Sequence, residues 1–308
     1  MHKAMSIALR IPSAVGPAVG SPAREQPAAE LAVRRRPSRW RRLGWTGGGA
    51  LVVLPLLAMV AVVGPQLWTW TAFEQHMDTL LQGPSLAHPL GTDEFGRDIL
   101  ARLLLGARWS LAGAAGICAG TSLLGFFIAA LAVSGGRKLD AIVGRVIEAM
   151  MALPGLVTAL AFAAILGASF TNLLLALVVT SWPWYARTYR ALLLKERTAL
   201  YVESAVAAGA GRWRVLLRHA LPNIIGPAAV LATANFGAVI LNLAGLSFLG
   251  LGMQPPTPEW GEMINEAARY FEEYPWQMIA PGLCIAATVL AVNLLGDALR
   301  DVADPRTR

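Results

Sequence analysis

The feature that most constrains this chain is a series of apolar runs, several of which reach the length a helix needs to cross a bilayer. They fall at Trp45–Leu67, Arg108–Val133, Ala141–Leu166, Asn172–Leu192, Ile224–Phe248 and Trp276–Leu295. A bilayer core of ~30 Å takes about 20 helical residues, and unpaired backbone groups cannot be left in lipid. Over half of the residues are hydrophobic, 56%, and only 15% are charged, against roughly a quarter charged in water-soluble domains. The fold class expected is all-α integral membrane, with six transmembrane helices.

Between the runs the chain divides readily. Residues 1–44 are rich in Pro, Ala, Ser and Arg, end in RRRPSRWRRLG and lack an apolar periodic face, which predicts a disordered basic cytoplasmic tail. A cleaved signal peptide is the competing reading of the first apolar run, but Trp45–Leu67 is too long for an apolar signal core and no A-x-A site comes after it. Residues 45–107 are read as the first span, with a kink at Pro55, plus an extracytoplasmic loop. Residues 108–297 form the transmembrane core and 298–308 a cytoplasmic C-terminal tail. In the second span Ala112, Gly116 and Gly120 are four apart, a small-residue face that permits close helix approach. In the third, Pro154 stands mid-span and Arg145 and Glu148 share a face, so pairing is expected. Trp182-Pro183-Trp184-Tyr185 interrupts the fourth span and Gly226-Pro227 breaks the fifth.

The net charge of +7 raises nucleic acid as a partner. The basic residues, however, sit in blocks between spans rather than along one soluble face, so no nucleic acid and a membrane-lipid setting are expected. The blocks comprise the tail, the Ser134–Asp140 turn, the Tyr201–Asn223 region and the C-terminus. The remaining loops are acidic, with Glu259, Glu262, Glu266, Glu272 and Glu273 in the last of them. The positive-inside rule then places both termini in the cytoplasm.

The basic island YVESAVAAGAGRWRVLLRHALPN at Tyr201–Asn223 has a legible plan. It consists of a short Ala-rich helix, a Gly-Ala-Gly break at Gly209–Gly211, a second basic helix, and Leu221-Pro222-Asn223 as a stop. Its Ala205, Ala207 and Ala208 form a small-residue face, while Arg212, Trp213, Arg214 and Arg218 offer anchoring groups. Catalysis finds little support. The three lysines, Lys3, Lys138 and Lys195, lie outside any G-x-x-x-x-G-K-[ST] phosphate loop, and His2, His76, His88 and His219 are scattered. Cys118 and Cys284 fall within apolar spans and read as core residues, with no His or Cys cluster for a metal. The chain is read as a non-enzyme that binds no cofactor of its own.

Four stretches carry a resemblance. Glu203, Ala205, Gly209 and Pro222 resemble the E-A-A, Gly, L-P pattern of the coupling loop in ABC importer permeases, with Ser204 in place of the usual Ala. HPLGTDEFGRDILARLLLGARWSL at His88–Leu111, LSFLGLGMQPPTPEWGEMI at Leu246–Ile264 and LLGDALRDVADPR at Leu294–Arg306 are similar to signatures of the dipeptide/oligopeptide/nickel branch, second permease subunit. The resemblance covers the chain from about His88 onward. It implies a type I importer permease (MetI-like) core with cytoplasmic coupling helices, in the bacterial inner membrane. It also implies a homologous permease as heterodimer partner, two cytoplasmic ATPase subunits that bind ATP and Mg, and an extracytoplasmic solute-binding protein. The cargo implied is di- or oligopeptide, with nickel or a metal chelate as the alternative. A stand-alone secondary carrier or channel would need intramembrane relay groups, for which Arg145 and Glu148 are weak support.

Site residues emerge from both readings. The ATPase-coupling set is Glu203, Ser204, Ala205, Gly209, Arg212, Arg218, His219, Leu221 and Pro222. Polar or aromatic groups within spans suggest a translocation path of Trp182, Tyr185, Asn235, Asn242 and Ser247, the two asparagines being seven apart on one helix face. Glu259, Trp260, Glu262 and Glu266 are expected to dock the binding protein, with Trp260 at the membrane interface. Asp93, Glu94, Arg97 and Asp98 are expected to brace and cap the helix entering span two.

Overall fold

Helices account for nearly all regular structure in a computed structural model that describes residues 61–303 together with Pro55, Leu56 and Met59. The expected tail at 1–44 and most of the first span therefore lie outside the described residues. Residues 61–67 are helical and lead into an extended loop. Beyond the loop come α1 (Ile99–Ser134), α2 (Arg137–Met151), α3 (Gly155–Leu166), α4 (Phe170–Arg197), α5 (Leu200–Ala207) and α6 (Arg212–Val215). A π-helical turn, Leu216–Ala220, leads into α7 (Leu221–Phe248), then α8 (Trp260–Ala267) and α9 (Trp276–Ala303). The described residues contain no strand beyond an isolated bridge between Thr92 and Asp98.

Among the described residues, three helices are long and apolar enough to cross a membrane: Ile99–Ser134, the continuous rod Trp213–Phe248, and Trp276–Arg300. The bent pair α2–α3 makes a fourth. The third span is thus not the single helix Ala141–Leu166 expected, since the chain bends by 88° at Ala152–Pro154. Pro154 lacks an N–H and disfavours helix at the preceding residue, so α2 ends and α3 restarts with Pro154 at its N-cap. No ion pair joins Arg145 to Glu148 among the described residues. Arg190 of α4 instead grips Asp140 of α2 through Nε at 2.5 Å and Nη2 at 2.8 Å.

Other prolines do less than expected. α4 runs unbroken through Pro183, and α7 runs unbroken through Pro227. Pro222 does not stop the second basic helix. The turn before it widens, with the Leu221 N–H donating to the Leu216 carbonyl, which makes room for a ring that clashes with an ordinary α turn.

The main core gathers small and branched residues from α1, α3, α4 and α7, with Trp260 of α8 set into it. α1 and α4 pack closely because glycines face α4. A Cβ on Gly125 would stand 2.6 Å from Tyr185 Cβ, and one on Gly113 2.7 Å from Phe170 Cζ. The small face expected at Ala112 and Gly116 is exposed, and within that trio Gly120 comes nearest α4, a Cβ there standing 3.0 Å from Val178 against 3.9 Å from Leu174 for one on Gly116. A second cluster at the other end joins Ala129 and Ala130 to Tyr189, Leu193, Leu216 and Ile224.

Candidate functional site

The segment α5–α6 is built by its sequence much as its composition dictates. Ala, Val and Glu favour helix over Leu200–Ala207, and Glu203 in the first turn complements the helix dipole. Gly209 turns the chain with φ +83°, a conformation costly for any residue with a Cβ. Glu203, Ser204, Gly209, Arg218 and Pro222 are exposed, while Ala205, His219 and Leu221 are half-buried. The Ser204 hydroxyl is spent locally on the Leu200 carbonyl at 2.8 Å. The sequence pattern missed Leu200, 81% exposed, and Val206, 57% exposed, which with Trp213 and Leu217 leave apolar surface uncovered between spans. Their signal was available, as apolar residues within a basic segment. Uncovered apolar surface rimmed by charge marks an interaction site.

Behind α5 lies a cavity of roughly 600 Å³, bounded by Val133 of α1, Leu193 and Arg197 of α4, and Val202 and Val206 of α5 itself. Val202 is buried, yet α5 is not packed flush on the helices beneath it.

A second cavity of roughly 340 Å³ opens where α2 and α3 bend away from α4 and α7. Its apolar lining includes Met150, Met151 and Trp184, and its polar groups come from Thr180, Ser181, Asn235 and Asn242. Asn235 and Asn242 therefore do share one face and one cavity. Asn235 Nδ2 donates to the Tyr185 hydroxyl at 3.1 Å, behind the lining. Trp182, Tyr185 and Ser247 do not line this cavity. Trp182 packs with Ile147, Tyr185 belongs to the α1–α4 contact, and Ser247 is enclosed against Gly252 and Gly261.

At the far ends of α1 and α7 stands a buried ionic brace. The Asp93 carboxylate accepts from the Phe95 and Arg97 N–H groups at 2.9 Å each and from Arg97 Nε at 2.6 Å. Asp98 caps α1 by accepting from the Ala101 N–H at 2.7 Å, and also bonds Trp68 Nε1 at 3.0 Å and His88 Nδ1 at 2.7 Å. Arg97 and Arg102 both reach Glu266, Arg97 through Nη2 at 3.3 Å. Glu259 caps α8 through the Gly261 and Glu262 N–H groups and accepts from the Ser110 hydroxyl at 2.6 Å. Trp260 donates from its indole to the Leu103 carbonyl at 3.1 Å. The brace expected of Asp93, Arg97 and Asp98 is thus in place.

The same geometry corrects the expected docking set. Glu259 is 0% exposed, Trp260 2% and Glu262 5%, so none of them presents a surface and Trp260 does not sit at the lipid interface. Glu266 is committed to the two arginines. Capping and neutralisation explain these acids, because a carboxylate enters a packed region only with partners. Glu262 is the exception: burial first, then the charges of Glu266 and Glu259, push its carboxyl up to about 7. The acids left in solvent are Glu272 and Glu273.

Residues 121–308 match the family described as binding-protein-dependent transport system inner membrane component. The chain is 40% identical over 266 residues to the di/tripeptide transport system permease protein DppC of Pseudomonas aeruginosa, covering 84% of this chain and 88% of that protein. It is 37% identical over 264 residues to the nickel transport system permease protein NikC of Escherichia coli, covering 85% and 94%. It is 42% identical over 232 residues to the glutathione transport system permease protein GsiD of Pectobacterium atrosepticum, covering 75% and 77%.

Proposed function

The chain belongs to the binding-protein-dependent transport system inner membrane component family and is a permease subunit of an ABC importer; from that premise we propose that it forms half of a path for di- or oligopeptides. The observation that carries the cargo is the cavity between α2–α3 and α4–α7. It pairs two side-chain amides, Asn235 and Asn242, with apolar and aromatic walls. An amide offers both donors and acceptors, the complement of a peptide backbone, while Met and Trp surfaces tolerate varied side chains. The similarity to di/tripeptide and glutathione permeases supports the same choice.

The energy source belongs to partners. Two cytoplasmic ATPase subunits that bind ATP and Mg would dock on α5–α6, where Glu203, Ser204, Ala205, Gly209, Arg212, Arg218, His219, Leu221 and Pro222 form the coupling set. A homologous permease completes the path, and an extracytoplasmic binding protein delivers solute to the end that carries Glu272 and Glu273. Both termini are then cytoplasmic, as the charge blocks suggest. Nucleotide-driven closure of the ATPase pair would drag α5 and rock the spans.

The test is a complex of all partners reconstituted in proteoliposomes. Labelled dipeptide should accumulate with ATP and the loaded binding protein, and excess nickel should not compete. Gly209→Trp should abolish transport-coupled ATP hydrolysis while the subunit still inserts. Nickel uptake without peptide uptake would overturn the cargo, and unchanged coupling in Gly209→Trp would overturn the docking site.

A further inference from the structure

A helix seated on a solid core passes force to everything beneath it, because packed interiors transmit strain. α5 is not so seated. The cavity of roughly 600 Å³ separates it from the ends of α1 and α4, so a push on α5 must travel through discrete attachments.

One attachment involves three helices at once. The Tyr201 hydroxyl, on α5, donates to the Glu196 carboxylate in the last turn of α4. It accepts from Asn223 Nδ2, in the first turn of α7, at 2.8 Å. A phenol has one O–H to donate and oxygen lone pairs to accept with, and here both functions are used. Asn223 is itself fixed by a second bond from the same Nδ2 to the His219 carbonyl, at 2.8 Å. The Tyr201 ring lies beside the His219 imidazole with centroids 6.4 Å apart, within the range of aromatic pairs. His219 belongs to the π-helical turn, a local device often found at functional positions.

We propose that Tyr201 is a positioning residue: its hydroxyl clasps the coupling helix to α4 and α7 together. These two helices supply the polar lining of the cavity, Thr180 and Ser181 from α4 and Asn235 and Asn242 from α7. The clasp therefore sends motion of α5 to both helices of that polar wall at once. All three side chains are open to solvent to some degree, and hydrogen bonds made in competition with water add little to stability. The clasp thus bears on transmission far more than on folding. This inference rests on the reading that α5 receives the push of an ATPase.

The experiment uses the full reconstituted complex and measures peptide moved per ATP hydrolysed, the KM for ATP, and yield of assembled complex. Tyr201→Phe keeps the ring and removes the hydroxyl. It should lower peptide moved per ATP about tenfold, with KM for ATP and assembly yield at parental values. Asn223→Ala should act similarly, and the double variant should lose no more than Tyr201→Phe alone, since one oxygen joins both partners. Glu196→Gln retains an acceptor and should keep its coupling. Parental coupling in Tyr201→Phe, or losses that multiply in the double variant, would overturn the clasp. A parental complex whose ATPase ignores the loaded binding protein would instead overturn the functional reading itself.

Discussion

The buried brace and the α5–α6 segment both collect charged residues at the ends of long helices, and they dispose of them in opposite ways. In the brace, Arg97 and Arg102 are each 2% exposed and paired with Asp93 and Glu266. Around α5 and α6, Glu203, Arg214 and Arg218 stand in solvent, over a segment backed by a void. A buried ion pair owes its geometry to its partners, and its loss leaves a stranded charge. An exposed charge can be rearranged at little cost. One end of the bundle is built to hold still and the other to be moved.

The largest effect expected from this contrast is at Glu266. Glu266→Ala leaves Asp93 as the one carboxylate paired with two buried guanidinium groups and should lower stability by about 3–5 kcal/mol, read as the unfolding midpoint of the solubilised subunit. A loss below about 1 kcal/mol would mean the brace is not what fixes α8. Next comes Gly261→Ala. A Cβ there would lie 2.4 Å from the Ala244 carbonyl oxygen and 2.7 Å from its Cα, an overpacking penalty of about 1–3 kcal/mol.

Glu262 makes the brace sensitive to pH in a defined direction. Its carboxyl rises from 4.5 to about 7 on folding, so the native state binds more proton than the unfolded chain between those values. Its stabilising contribution is present below 4.5 and is lost as pH climbs through 7. Glu262→Gln should remove that part of the decline and leave the variant more stable at pH 8 by about 1–2 kcal/mol. Unfolding midpoints of both proteins across pH 5–8 test it, and parallel curves would refute it. The smallest stability effect belongs to Gly209→Ala, about 1 kcal/mol from φ +83° alone, because no atom lies within 4 Å of the added Cβ. Peptide moved per ATP should fall by much more than that small loss suggests, which separates the moving end from the fixed one.

Much of this division is written in the sequence, because it comes from composition and local geometry. Apolar length announces the spans Ile99–Ser134, Trp213–Phe248 and Trp276–Arg300, and Gly209 announces its turn. Asp93 and Arg97, four apart, announce a local pair. Two things are not legible there. One is the behaviour of prolines: whether Pro222 ends a helix depends on whether the preceding turn can widen, and Leu216–Ala220 does so. The other is the fate of acidic residues. Glu259 and Glu262 look like a docking surface in an acidic loop, but the Ser110 hydroxyl that holds Glu259 in the packed interior lies 149 residues away in the chain. The two asparagines share a cavity because a spacing of seven is a helix property, whereas Trp182 and Ser247 are kept out of it by tertiary packing alone.

The widened turn at Leu216–Ala220 has a mechanical consequence. Had Pro222 ended the helix, the piece before it and the span would be separate bodies joined by a swivel. Instead Trp213–Phe248 is one beam of 36 residues, about 54 Å long at 1.5 Å per residue. Its near end is gripped beside Tyr201, Asn235 and Asn242 lie along its length, and Ser247 at its far end is wedged against the backbone of Gly252 and Gly261. With that wedge held fixed, a shift of the near end would become a tilt, and the two amides would move in proportion to their separation from it. Asn235, farther from it than Asn242, would then travel farther.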